Sequence, residues 1–292
     1  MDTVAQANKH GKTFTVRLRN LFWRLISVLP DRPYLRLKYA SIYGRFPDLD
    51  QPKRFSELQQ VRKLTDRTKL YNLLVDKADA KTYIAERAGS SHVIPTYWIG
   101  TDLTEVDWST IPLPAVVKPT HSSGAGFFLR SAYDIKKLMQ ERPEADWLAL
   151  NHFGFNREWA YKDVPPRIVI EKMLGEDGEV LTDYRFYCFN GEVVHVELST
   201  PDWKLTPIDL DYFPRLEDPL PVPPRFDEML DIASKVSAGI NFARIDLYNT
   251  GGEIFVGEIT LYPSGGFEIF LPDSYDFELA RHWWRKNPES AR

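Results

Sequence analysis

The chain has 292 residues, 43% hydrophobic, 27% charged and 13% aromatic, a globular composition with room for about two domains. That balance excludes collagenous, mucin-like and wholly disordered chains, and a net charge of −4 argues against a nucleic-acid coat. The single Cys188 excludes an intrachain disulfide and a zinc–thiolate cluster, and suits a compartment where thiols stay reduced.

Residues 1–46 hold nine Lys or Arg against Asp2 and Asp31, so this stretch carries +7 and the remainder −11. Over residues 14–29 apolar side chains recur mostly at helical spacing with Arg17, Arg19 and Arg24 between them, which predicts a basic amphipathic helix. Such a helix either packs on the body of the protein or adsorbs to an anionic membrane surface. Arg24 interrupts the nearest thing to a signal segment, and no stretch approaches the roughly 20 apolar residues of a membrane span. The expectation is a soluble cytoplasmic protein with peripheral contact, if any, at the inner membrane face. Pro30, Pro33, Pro47 and Pro52 punctuate the connector that follows, so residues 1–70 are expected to form a small helical module.

A compact α/β unit follows. Residues 76–88 read as a helix ended by Gly89, and 93–99 as a strand. Residues 112–119 form a buried strand closed by proline, 120–126 a glycine loop, and 127–129 a second strand. Residues 168–174 are another strand. Residues 184–189 and 193–198 pair across Asn190-Gly191, a strong hairpin signal. A helix over 226–238 precedes a last strand pair, 243–248 and 253–260, joined at 249–252.

Asp246 and Glu258 lie on those last two strands, where both carboxylates can face a shared point. Magnesium prefers a few carboxylates plus phosphate oxygens and water. Arg244, two residues before Asp246, shares its facing by the period-two rule. Taken alone, the three also fit strand acids facing solvent beside a surface salt bridge. Lys118 ends an otherwise apolar strand, where a charge needs an anionic partner. The loop Ser122-Ser123-Gly124-Ala125-Gly126 offers amides and hydroxyls able to wrap phosphates, although a plain turn has the same composition. It opens onto a strand and lacks Gly-Lys-Ser, so Rossmann and Walker A readings fail. Glu171-Lys172-Met173-Leu174 offers an edge suited to adenine. There is no Gly-x-Ser-x-Gly, His-Glu-x-x-His or His-Arg-Asp motif, and the six histidines show no ligand spacing.

The ordered series Asp76-Lys77, Val117-Lys118-Pro119, the Ser/Gly loop, the 157–162 segment, Ile170-Glu171-Lys172, the 183–191 segment, the 243–248 segment and Gly257-Glu258-Ile259-Thr260 resembles the ATP-grasp superfamily, and within it the TupA-like ATP-grasp proteins. The 52–57 segment resembles that family's N-terminal signature, with Leu58 where a lysine is expected. The resemblance implies an α+β fold in which two α+β subdomains, 71–172 and 173–292, grip the nucleotide beside the N-terminal module. It implies that Lys77 and Lys118 contact the α- and β-phosphates of ATP and that Ser122, Ser123, Gly124 and Gly126 close over them. By the same resemblance Glu171 and the backbone of Lys172 to Leu174 bind adenine, Asp183 takes the ribose, and Asp246 and Glu258 hold Mg²⁺. Arg244 then steadies the transferred phosphoryl group, with Lys118 beside it. Thr260 stands where many ATP-grasp ligases carry asparagine, a neutral hydroxyl in the metal set. His121 and Arg185 are possible substrate contacts.

The chemistry implied is carboxylate activation to an acyl phosphate followed by attack of an amine, which needs placement and charge neutralisation rather than a protein nucleophile. By family association the carboxylate belongs to a cell-surface polysaccharide or teichuronopeptide precursor. A sugar kinase on the same fold and a non-catalytic nucleotide-binding protein are the alternatives.

Overall fold

The computed structural model describes residues 26–175, 181–199, 205–208 and 222–286. Most of the helix expected over 14–29 lies outside them. The described chain begins with two helices that cradle the C-terminal half, α1 (Asp31–Tyr43) and α2 (Phe55–Thr65). The family-like stretch before α2 is a cap: the Glu57 carboxylate accepts the amides of Lys53 (2.9 Å) and Arg54 (3.2 Å), satisfying donors that a helix start leaves orphaned. Short helix α3 (Leu70–Val75) leads to α4 (Ala80–Ala88). The latter starts four residues later than the sequence pattern suggests, because the Asp76 carboxylate takes the amides of Ala78 and Asp79 and holds residues 76–79 as a turn.

A four-stranded antiparallel sheet follows, ordered β1-β4-β2-β3, from β1 (Thr96–Gly100), β2 (Ala115–Pro119), β3 (Phe127–Leu129) and β4 (Ile168–Lys172). Strand β1 begins after Pro95, three residues later than the expected 93–99 strand. Alternation sorts β2: Ala115 and Val117 are fully buried in the core under α5 (Ala132–Glu141), while Val116 and Lys118 face the other way. Helices α6 (Glu144–Leu148) and α7 (His152–Asn156) carry the chain to β4.

The second sheet has five antiparallel strands ordered β7-β6-β5-β8-β9, from β5 (Asp183–Phe189), β6 (Glu192–Ser199), β7 (Leu205–Ile208), β8 (Ala243–Thr250) and β9 (Glu253–Thr260). The Asn190-Gly191 turn forms as expected, with both φ angles positive (48° and 84°). Helix α8 (Phe226–Ser237) lays Met229, Ile232, Ala233 and Val236 on one face of this sheet, against Phe186, Ala243, Ile245 and Leu247. Each of the larger of these side chains contributes about 1.5–3 kcal/mol by leaving water. On the opposite face α2 and the final helix α9 (Ser274–Lys286) cover one end through Phe55, Leu58, Phe189, Phe242 and Trp283. The rest of that face is polar.

Candidate functional site

The polar part of the large sheet is defined by register. Arg185 pairs with Asp246 on β8 and with Glu197 on β6, Tyr187 with Arg244 and His195, and on β9 Glu258 stands opposite Asp246 and Thr260 opposite Arg244. Directly paired residues share a face. Asp183, Arg185, Tyr187, His195, Glu197, Arg244, Asp246, Glu258 and Thr260 therefore line one side of the sheet while its other side is core.

Two bulges make that face. Counting back from the Thr250–Glu253 pair, ideal pairing would set Asp246 against Gly257 and turn Glu258 to the opposite side. An extra residue at Gly257 shifts the register between Asp246 and Leu247 and brings Glu258 beside Asp246. A Cβ on Gly257 would lie 2.5 Å from Cε2 of Tyr248, so glycine is what lets that ring lie against the bulge. A second shift between Tyr187 and Cys188 does the same for His195 and Glu197.

Arg244 holds Asp246 in a two-pronged pair, Nε to Oδ1 and Nη2 to Oδ2, both 2.7 Å, and its Nη2 reaches Thr260 Oγ1 at 3.4 Å. Burial raises the Asp246 carboxyl to about 6 against the pull of Arg244. Burial also pushes Glu258 up, but Lys77, Arg244 and Lys118 outweigh it and hold that carboxylate below its usual range. Lys77 Nζ is 3.2 Å from Glu258 Oε1 and donates to the Ser122 carbonyl at 2.6 Å.

Lys77, Lys118, Glu171 and Glu258 share one pocket between the two sheets, walled by Val75, Ile84, Ile94 and Val256. Glu171 is gripped by two lysines, Lys118 on Oε1 and Lys81 on Oε2 at 2.8 Å. Burial would raise it, yet the two cations together keep it lowered. The Ser/Gly loop borders this pocket. Ser122 is buried with its hydroxyl lacking a partner, Gly124 has φ +79°, and a Cβ on Gly126 would stand 3.6 Å from the Val117 carbonyl. His121 is buried near Asp76 and Trp147, its imidazole pKa lowered by that burial. At the end of β4 the amides of Lys172 and Met173 donate to the carbonyls of Pro95 and Pro114. Asp183 lies 3.5 Å from Arg185, and its charge adds to burial in raising the Tyr248 phenol.

Of the residues singled out in the sequence, Lys77, Lys118, Glu171 and Glu258 line the pocket and Asp183, Arg185, Arg244, Asp246 and Thr260 share the sheet face with Glu258, whereas His121, the 122–126 loop, Lys172 and Leu174 are not among the residues that line the pocket. Lys81 was not singled out, although it follows Lys77 by four residues, on the first turn of α4. Nor were His195, Glu197 and Glu268. Glu268 Oε2 accepts the Tyr187 hydroxyl at 2.8 Å and Glu197 Oε2 lies 3.1 Å from it. No local pattern marks Glu268, which arrives from a loop. The donor set suits magnesium rather than zinc: two carboxylates on paired strands, neutralised by Arg and Lys. Among the described residues no three His, Cys, Asp or Glu side chains gather into an all-protein cage.

Lys77, Lys118, Glu171 and Glu258 thus meet between two antiparallel sheets, beside a sheet face that carries Arg244 and Asp246. The family model described as TupA-like ATPgrasp matches residues 57–283, and the chain belongs to that family. Among solved structures it resembles a D-alanine–D-alanine ligase from Bacillus anthracis complexed with ATP (18% identity, 75% of this chain and 67% of that one, TM-score 0.47). It also resembles a D-alanine–D-alanine ligase from Helicobacter pylori (14%, 73% and 61%, TM-score 0.45) and an L-amino acid ligase from Bacillus licheniformis (12%, 80% and 55%, TM-score 0.44). It thus spans less than two thirds of the last two. No curated protein matches the sequence.

Proposed function

We propose that the protein is an ATP-dependent carboxylate–amine ligase. The observation that carries this reading is the convergence of Lys77, Lys118, Glu171 and Glu258, spread over 180 residues of sequence, on one pocket beside Arg244 and Asp246. Lys77 and Lys118, with Lys81, supply cations for the phosphates, and the 122–126 loop closes over them with its amides. Glu171, the Lys172 carbonyl and the Leu174 amide read adenine, and Asp183 takes the ribose. Asp246 and Glu258, with Thr260, would hold Mg²⁺, which would supply positive charge to the phosphates during transfer. Arg244, locked by Asp246, presents a fixed guanidinium to the transferred phosphoryl group. The acceptor carboxylate attacks the γ-phosphorus to give an acyl phosphate and ADP. An amine then attacks the acyl carbon, the bond to phosphate breaks, and an amide and inorganic phosphate leave. His121 and Arg185 are the proposed contacts to the acceptor. The proposed acceptor is a uronic or glutamyl carboxylate on a cell-surface polysaccharide precursor, reached at the inner membrane face through the basic N-terminal segment.

The test is ATP consumption against a panel of sugar acids, amino acids and amines, with products identified by mass. An amide with ADP and phosphate is expected, and Asp246→Asn and Glu258→Gln should abolish it while leaving a folded circular dichroism spectrum. A phosphate ester made without amine would make the protein a kinase instead, and wild-type rates in both variants would remove the metal assignment.

A further inference from the structure

We infer that the N-terminal module takes part in the reaction, with Gln60 and Lys63 of α2 acting as positioning residues that hold the 261–266 loop in register with the phosphoryl-transfer site. The inference rests on the ligase reading of that site.

The loop joins both ends of the polar face. It leaves β9 at Thr260, opposite Arg244, and returns at Glu268, whose carboxylate meets Tyr187 and bears electrostatically on Arg244. Within the loop the Ser264 carbonyl accepts the Phe267 amide at 3.2 Å, whereas the Gly265 and Gly266 carbonyls turn to side chains of α2. Ser264, Gly265 and Gly266 have φ of 50°, 64° and 74°, consecutive left-handed residues that point their carbonyls away from any regular ladder.

Helix α2 supplies the missing partners. Gln60 Nε2 donates to the Gly266 carbonyl, Lys63 Nζ to the Gly265 carbonyl, and Arg62 Nη1 to the Leu261 carbonyl at 2.9 Å. Lys63 Nζ also donates to Gln60 Oε1 at 3.0 Å and sits 4.0 Å from the Phe267 ring centre, which ties the two donors into one unit. Gln60 is fully buried and Lys63 2% exposed. Burying an amide and an ammonium merely to join two surfaces is expensive where apolar side chains would do. From the other side the loop meets the end of α7, where a Cβ on Gly265 would overlap Asn156 Nδ2, while on the α2 side one on Gly266 would lie 2.9 Å from Lys63 Cε. The loop is therefore clamped between the N-terminal module and the 156–158 segment. Displacement by an ångström would move Glu268 relative to Arg244 and Thr260.

The test uses the full chain with Gln60→Met, Gln60→Asn and Lys63→Met, and Arg54→Met as a control at the N-cap of the same helix, which loses the Asp273 and Asp276 pairs and the stacking on Phe277 but no contact to the loop. Affinity for Mg²⁺ with a non-hydrolysable ATP analogue is measured by calorimetry, and turnover as ADP release from Mg·ATP, with the best carboxylate–amine pair or as basal hydrolysis. Expected is a fall of about 10- to 100-fold in kcat for the clamp variants, nucleotide affinity staying within about twofold, and an unchanged kcat in Arg54→Met. Gln60→Asn keeps the amide but shortens its reach, so it reports even if a methionine variant fails to fold. Wild-type kcat in a folded clamp variant with lowered Tm would make the contact plain packing and overturn the inference. So would a parallel loss of nucleotide affinity. If the wild-type chain binds no nucleotide, the ligase reading itself falls, and the inference with it.

Discussion

Lys118 serves one anion in the structure and, on the proposed mechanism, a second in the complex with ATP; Lys118→Met separates the two jobs. The thioether keeps the stem that lines the pocket and removes the charge. Glu171 then loses one of its two cations but keeps Lys81 at 2.8 Å, so the cost falls below the about 3–5 kcal/mol of a wholly uncompensated buried charge. One charge-assisted hydrogen bond is worth about 1.5–3 kcal/mol. For a chain of this size, at about 2–4 °C per kcal/mol, Tm should fall by about 3–12 °C. The same 1.5–3 kcal/mol withdrawn from phosphate recognition should raise the Kd for the Mg²⁺-loaded ATP analogue about 10- to 150-fold. Scanning calorimetry reads the first number and titration calorimetry the second. A lowered Tm with unchanged nucleotide affinity would refute the reasoning, since Lys118 would then be only the counterion of Glu171.

Two further outcomes follow from particular contacts. Gly257→Ala places a Cβ 2.5 Å from Tyr248 Cε2, so the ring or the bulge must shift. Overpacking of this kind costs about 1–3 kcal/mol, and turnover should fall further than that loss alone explains because Glu258 moves with the bulge; an active, destabilised variant would contradict this. Burial, opposed by Glu158 and assisted by Lys38, lowers buried Lys63 from 10.5 to about 7. Between those values the unfolded chain binds the extra proton, so unfolding free energy should rise with pH, by up to about 1.4 kcal/mol per unit. Urea midpoints from pH 7 to 10 should show that rise in the wild type and a flatter line in Lys63→Met.

Much of the architecture was legible because its signals are local. The Asn190-Gly191 turn, the 127–129 strand and the 226–237 helix fall within a residue of where alternation and turn chemistry put them. Asp76 misled the helix start because its carboxylate captures nearby amides, a contact that composition does not weigh. Lys118 was marked by its charge in an apolar strand, and Lys77 by the family resemblance alone. Lys81 looks like any helical lysine until its partner Glu171, 90 residues away, is in view. Gln60 and Lys63 read as an ordinary polar helix face, since the carbonyls they serve are some 200 residues distant.

Sequence alone pointed to the family and to the order of most of the strands, because each is written in residue types at short spacing, but it named none of the helices between 132 and 156. It did not determine which side of the large sheet Glu258, His195 and Glu197 occupy. A strand alternates with period two, so one inserted residue reverses every side chain beyond it. Whether a bulge forms depends on whether a neighbour, here the Tyr248 ring against Gly257, fills the space. Only the folded chain supplies that neighbour, and with it the face on which acid, arginine and lysine meet.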